Sequence, residues 1–171
     1  IKKINVLDPI FNMGKEYLDV MRQFRGIESQ VALQTRFELI RGKQGNAFLD
    51  LAEQIPAHLE FGLQTINEQE MNIINRRNDI NQVKKTMEEL NSRGISYEVS
   101  LIYGLPGQTV DSFQRSIDFL LENGSEHNIA YPLMILRGTP LEAQRNSLNL
   151  VEKVKKPFNI PHVVSSDSFT E

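Results

Sequence analysis

The sequence predicts an α/β fold, a parallel-sheet partial (β/α) barrel of TIM-barrel type, and three observations predict it. Five times along the 171 residues a short β-type run ends in a polar residue and gives way to an amphipathic helix. The helices close on stop signals such as Arg93-Gly94 and Asn123-Gly124. Strand and helix alternate, which implies parallel pairing through right-handed crossovers and gathers the strands' carboxyl ends on one rim. That rim is where α/β proteins bind small ligands. Five units fall short of the eight in a closed barrel, so an open, curved sheet is expected. Its two unpaired edges invite a partner or self-association.

The first strand is expected at residues 4–7, leading into Asp8 and Pro9. A helix then places Tyr17, Val20, Met21 and Phe24 on one face at i, i+3, i+4 and i+7, and Gly26 ends it. Residues 30–39 read as the second strand, with Val31, Leu33, Phe37 and Leu39 as the buried candidates. Its helix repeats the spacing with Phe48, Leu51, Ala52 and Ile55 before Pro56 stops it. The third strand covers residues 58–64. Asn67 then caps a short helix with Glu70 at the capping-box position, and a longer helix from near Asp79 buries Ile80, Val83, Met87 and Leu90.

The fourth strand, residues 95–103, runs into the turn Gly104-Leu105-Pro106-Gly107. Thr109 caps the next helix, whose apolar face is Val110, Phe113, Ile117, Leu120 and Leu121. After a fifth strand at about residues 128–136, Thr139-Pro140-Leu141-Glu142 forms a capping box with proline at the first helical position. From about Asn149 the periodicity fades, and residues 153–157 read as loop. One domain is expected at 1–148, with a C-terminal extension at 149–171 that opens a following segment.

Composition narrows the function classes. Apolar residues at 40% and charged residues at 24% describe an ordinary soluble globular chain. No run approaches the ~18 apolar residues of a membrane span, and no signal peptide opens the chain, so a cytoplasmic protein without a membrane partner is expected. A net charge of −3 gives no reason to expect nucleic acid. The absence of cysteine excludes disulfides and any thiolate-ligated metal or iron–sulfur cluster within these residues. His58, His127 and His162 lie far apart and read as surface or loop residues, so no metal site is expected.

Several polar groups stand at strand ends where burial would otherwise favour apolar ones. Glu38 ends the second strand after Arg36, Gln64 ends the third, and Arg76 follows a helical turn that folds back over the rim. Ser100 lies within the fourth strand, ahead of the glycine turn. Each alone reads as a solvated strand end or a cap. Together they offer a guanidinium for a carboxylate, an amide and a hydroxyl for a ribose, and a carboxylate for hydroxyl or amino groups. That set suits a zwitterionic amino acid joined to a nucleoside. The Gly104 turn reads either as a tight βα connection or as a loop whose backbone approaches a flat ligand such as an adenine. Neither a P-loop nor a Gly-x-Gly-x-x-Gly fingerprint is present.

Three segments, Phe61-Gly62-Leu63-Gln64-Thr65-Ile66-Asn67, Ile74-Asn75-Arg76 and Leu101-Ile102-Tyr103-Gly104-Leu105-Pro106-Gly107-Gln108-Thr109, stand in an order and at a spacing that resemble the radical S-adenosylmethionine (radical SAM) superfamily. Leu7-Asp8-Pro9-Ile10-Phe11-Asn12, Thr35-Arg36-Phe37-Glu38 and Leu136-Arg137-Gly138-Thr139-Pro140-Leu141 resemble the subgroup that often carries a cobalamin-binding domain upstream. The likeness covers residues 2–147 and, more weakly, 157–171. It implies a partial (β/α)6 barrel entered at its second strand, with five of the six βα units present. Carried over by position, the resemblance gives Gln64 the SAM ribose and Arg76 the methionine carboxylate, while Glu38 faces SAM. Asp8 and Asn12 take the strand end where many relatives hold the methionine amino group with a glycine-rich motif. Ser100 stands where many relatives have an aspartate for a second ribose contact, and Gly104 belongs to the turn whose backbone would approach the ligand.

In that family a CxxxCxxC loop after the first strand holds a [4Fe-4S] cluster, at which SAM is cleaved reductively to a 5′-deoxyadenosyl radical. None of those cysteines is present. The resemblance therefore implies a fragment of a radical SAM enzyme, inactive alone, whose partner is an upstream segment with the first strand and cluster loop. SAM and the cluster are expected as cofactors of the parent, with cobalamin as a further candidate and no defined substrate. One alternative is a degenerate barrel serving as scaffold or binding module. Another is a partial-barrel enzyme using Glu38 or Asp8 as general base, which no histidine or lysine on the rim supports.

Overall fold

The computed structural model describes residues 1–156 and 159–170, and the strand–helix alternation runs through them. In order come β1 (Lys3–Val6), α1 (Tyr17–Gln23), β2 (Gln30–Thr35), α2 (Gly42–Gln54), β3 (Ala57–Gln64), α3 (Glu68–Ile73) and α4 (Ile80–Ser92). They are followed by β4 (Ser96–Tyr103), α5 (Val110–Glu122), β5 (Asn128–Pro132), α6 (Pro140–Ala143), β6 (Val151–Lys155), β7 (Ile160–Ser166) and β8 (Phe169–Thr170). The first five strands make one parallel sheet in the order β1-β2-β3-β4-β5. An order that never reverses is the winding of a barrel, whereas a doubly wound sheet changes direction at a switch point. Pairing runs from Lys3↔Gln30 to Val6↔Leu33 and from Val31↔Ala57 to Thr35↔Phe61.

The chain packs as two units. The first comprises Ile1–Leu63, Asn78–Ser100 and Leu120–Ile129. Its core shows the two-residue alternation of a strand: Ala57, Leu59, Phe61 and Leu63 are buried while His58, Glu60 and Gly62 are half-buried. Phe37 and Phe61 stack with ring centroids 4.0 Å apart. Phe48, Leu51, Ala52 and Ile55 are buried as their spacing predicts, and so are Val83, Met87 and Leu90 of α4. Asp79 caps α4, its side chain accepting from the Asn81 and Gln82 N–H groups, and Gly94 at φ 65 ends it.

Three expectations for this unit need correction. β2 ends at Thr35 and Phe37–Leu39 form a 3-10 turn, so Leu39 is only half-buried and Glu38 lies beyond the strand. α1 has seven residues, enough for one narrow inward stripe of Tyr17 and Met21, and Val20 faces solvent. His58 of β3 and His127, just before β5, are neighbours with ring centroids 6.4 Å apart, although they stand far apart in sequence. His58 Nδ1 lies 2.8 Å from Ser96 Oγ, and its Nε2 3.5 Å from Glu98.

The second unit comprises Gln64–Arg77, Leu101–Phe119 and Ala130–Glu171. In the part of α5 that belongs to this unit Ser112 and Ser116 are buried and Val110 is exposed; of the two leucines that belong to the first unit, Leu120 is buried and Leu121 exposed. The buried stripe thus carries two serines in place of the apolar face expected there. Residues 151–155 form β6 rather than a loop, because β7 pairs with them antiparallel from Val151↔Ser165 to Lys155↔Ile160. β8 completes this second sheet. Leu105, Leu133, Leu150 and Val163 form the unit's apolar core, and His162 is buried in β7. Pro157, part of the expected loop, lies outside the described residues, as do Phe158 and Glu171 of the weakly matching tail.

Candidate functional site

In the second unit, Gln64 ends β3 half-buried at φ 72, in the left-handed region that costs a side-chain-bearing residue about 1–2 kcal/mol. Thr65 holds the chain behind it. Thr65 is fully buried, donates to Glu70 Oε2 at 2.6 Å and accepts from the Asn67 N–H at 3.0 Å. Asn67 caps α3 by accepting from the Gln69 and Glu70 N–H groups. The same helix closes on a Schellman turn: Asn75, at φ 51, donates to Asn72 O at 3.2 Å, and the Arg76 N–H donates to Met71 O at 2.8 Å. One six-residue helix thus follows directly on Gln64 at its start and delivers a half-buried Arg76 at its end.

Gly104 adopts φ +85, and its N–H donates to Gln108 Oε1 at 2.7 Å. A Cβ at this position would meet Phe169 at 3.4 Å and Val163 O at 3.5 Å. Of the two readings of this turn, the packing and hydrogen bonding at Gly104 are those of a tight connection against β7 and β8. A cavity of about 320 Å³, within the usual range for ligand pockets, is lined by Asn75, Ile102, Leu105, Leu133, Leu136 and Leu141 among others.

Sequence reasoning missed Glu70. Asn67 and Glu70 fit a capping box, yet the carboxylate turns inward with no solvent exposure, and Thr65 serves the Asn67 N–H instead. Glu70 accepts from Thr65, Gln108 and Ser112. Gln108 also donates to Ile102 O at 3.0 Å and accepts a second N–H, from Leu105, at 3.3 Å. These partners come from separate segments, so no sequence spacing marks the network.

In the first unit, Asn12 is buried and exchanges two hydrogen bonds with the Arg36 backbone, donating to its carbonyl at 3.2 Å and accepting from its N–H at 3.1 Å. Its amide ties the turn after β1 to the end of β2. Asp8 is exposed and caps a local turn by accepting from the Ile10 N–H at 3.0 Å. Glu38 Oε1 lies 3.4 Å from Arg36 Nη1, while its Oε2 is buried without a hydrogen-bond partner. Ser100 is half-buried and donates to Phe61 O at 3.4 Å. The structure therefore joins Asn12, Arg36 and Glu38 and gives Asp8 and Ser100 local backbone partners. Among the described residues, no group of three or more His, Cys, Asp or Glu is placed to hold a metal ion.

The sequence model of the Radical SAM superfamily matches residues 12–120, more than half of the chain. An uncharacterized protein of Methanocaldococcus jannaschii, MJ0486, is 29% identical over 84 residues, 49% of this chain and 26% of that protein. The ribosomal protein uS12 methylthiotransferase RimO of Heliobacterium modesticaldum is 31% identical over 67 residues, 38% of this chain and 15% of the enzyme. The chain thus spans about a quarter or less of these curated relatives. Among solved structures, the radical S-adenosylmethionine methyltransferase TsrM of Kitasatospora setae superposes with a TM-score of 0.70 at 13% identity, over 89% of this chain and 32% of that one. At that identity the likeness supports the fold alone.

Proposed function

The chain belongs to the radical SAM superfamily, and from that premise we propose that it is the SAM-holding portion of an enzyme that cleaves SAM reductively at a [4Fe-4S] cluster. The observation that carries this reading is Gln64. A glutamine kept in the left-handed region at a strand's carboxyl end is strain of the kind that accumulates at ligand sites. It stands at the position the family resemblance gives to the ribose contact, and the α3 Schellman turn presents Arg76 for the methionine carboxylate. In the same unit as Gln64 and Arg76, the apolar cavity beside Asn75 has the size and lining for an adenine.

The residues present do not fit the cluster. The chain has no cysteine, so the cluster ligands belong outside these 171 residues. What this chain's own residues do is bind and orient: in the second unit Arg76 pairs a carboxylate and Gln64 meets a hydroxyl, while for Glu38 and Ser100 of the first unit the resemblance alone implies a SAM contact. Asn12 positions the Glu38 turn through Arg36. When bound, the cofactors supply radical chemistry towards an unactivated carbon–hydrogen bond.

Methyl transfer with cobalamin as a second cofactor is the finer form of this proposal. It rests on the likeness of the 7–12, 35–38 and 136–141 segments to the cobalamin-linked subgroup. The upstream coding sequence should carry a CxxxCxxC triplet within roughly 50 residues of Ile1, about the span of one βα unit and its loops. The protein including it, reconstituted anaerobically with iron and sulfide and reduced in the presence of SAM, should release 5′-deoxyadenosine. An intact protein without cysteines, and no release of that product, favour the scaffold reading that the absence of cysteine here also allows.

A further inference from the structure

Glu70 is a carboxylate with no solvent exposure on which three uncharged donors converge from separate segments. Thr65 Oγ1 donates to Oε2 at 2.6 Å, Gln108 Nε2 donates to the same oxygen at 3.2 Å, and Ser112 Oγ donates to Oε1. A buried acceptor satisfied this fully makes a stiff junction, because removing it strands several desolvated donors at once.

What the junction joins is specific. Through Thr65 it holds the residue next to Gln64 and, by way of the Thr65 hydroxyl, the Asn67 N–H that opens α3. Through the helix itself it reaches the C-cap: Ile74 donates to the Glu70 carbonyl at 3.2 Å, beside the Arg76 bond to Met71. Through Gln108 it fixes the Gly104 and Leu105 N–H groups of the β4–α5 turn. Ser112 adds α5, whose neighbouring Ser116 accepts from the Ile66 N–H at 3.3 Å.

We propose that Glu70 is a positioning residue that holds Gln64 and Arg76 in their ligand-ready arrangement by tying them to the Gly104 turn, so that SAM affinity depends on a side chain that never touches SAM. This rests on the SAM site proposed above for Gln64 and Arg76. A second uncharged contact would serve stability equally well. A single acceptor shared by Thr65, Gln108 and Ser112 makes all three segments move together.

The test uses two preparations. In the 171-residue chain, Glu70→Gln should speed amide hydrogen exchange at Asn67, Gly104 and Leu105 by about tenfold or more while α2 and α4 amides keep wild-type rates. In the cluster-loaded parent, Glu70→Gln should weaken SAM binding by about tenfold in equilibrium dialysis, and Ser112→Ala by about threefold. Wild-type exchange at those amides in Glu70→Gln, or wild-type SAM affinity in both Glu70→Gln and Ser112→Ala, overturns the proposal. A wild-type parent that fails to bind SAM sinks the underlying site instead, and the two failures are thereby told apart.

Discussion

Glutamine at φ 72 places its Cβ close to a backbone carbonyl, a conformation glycine adopts without that penalty. The two demands on position 64 therefore oppose each other. Gln64→Gly should raise the stability of the chain by about 0.5–1 kcal/mol in urea unfolding, the relieved strain less the entropy of a freer unfolded chain. The same change should remove the proposed ribose contact. A destabilised Gly variant would mean that the amide, rather than a ligand, is what the fold needs there. Gly45 shows the reverse case. Alanine ordinarily improves a helix, but a Cβ here would fall 2.7 Å from the Ile40 carbonyl carbon. Gly45→Ala should cost about 1–3 kcal/mol through a forced shift of the Ile40 backbone, read as a lowered urea midpoint.

Elements with local signals were legible and those decided by tertiary partners were not. Asn67, Asp79 and Thr139 each accept from the expected N–H groups, because a cap is chosen within one turn of chain. The box at Thr139 is real in a shifted form, since Glu142 reaches the Gly138 N–H at 2.6 Å. Glu70 carries the same local pattern, yet Gln108 and Ser112 draw it inward, and nothing within one turn of sequence distinguishes the two outcomes. β6 has no local signal for a similar reason: Val151, Val154 and three charged residues form a strand only because β7 pairs with them. Gln64 and Arg76 stand out in the sequence only through the family's spacing, and the left-handed backbone under Gln64 leaves no mark there.

Two tyrosines near the starts of α1 and β4 make the stability of the fold depend on pH. Burial pushes Tyr17 and Tyr97 above the usual tyrosine value, and the Asn91 hydrogen bond offsets only part of that effect at Tyr97. Each raised value means that the fold favours the neutral phenol. Their contribution to stability is whole below the unfolded value of about 10 and is lost as pH rises through the raised folded values. Urea midpoints should fall above about pH 10, and Tyr97→Phe should flatten part of that fall. Equal alkaline slopes for the two proteins would contradict the assignment.

For the molecule as a whole, an absence of cysteine and a family built on a cysteine-held cluster lead to one expectation. The chain by itself should bind SAM weakly or not at all, and micromolar binding to it by calorimetry would contradict the division of labour proposed here. β1 and β5 end the strand order, and unpaired edges template association, so sedimentation should show mass rising with concentration. Among the described residues no helix is long and apolar enough to cross a membrane. The decisive observation is calorimetric titration of SAM into the cluster-loaded parent, as wild type, Gln64→Gly and Arg76→Ala. Micromolar binding by the wild type and a loss of about tenfold or more in each variant is the expected result. Wild-type affinity in both variants would show that SAM, if it binds, is held by other residues.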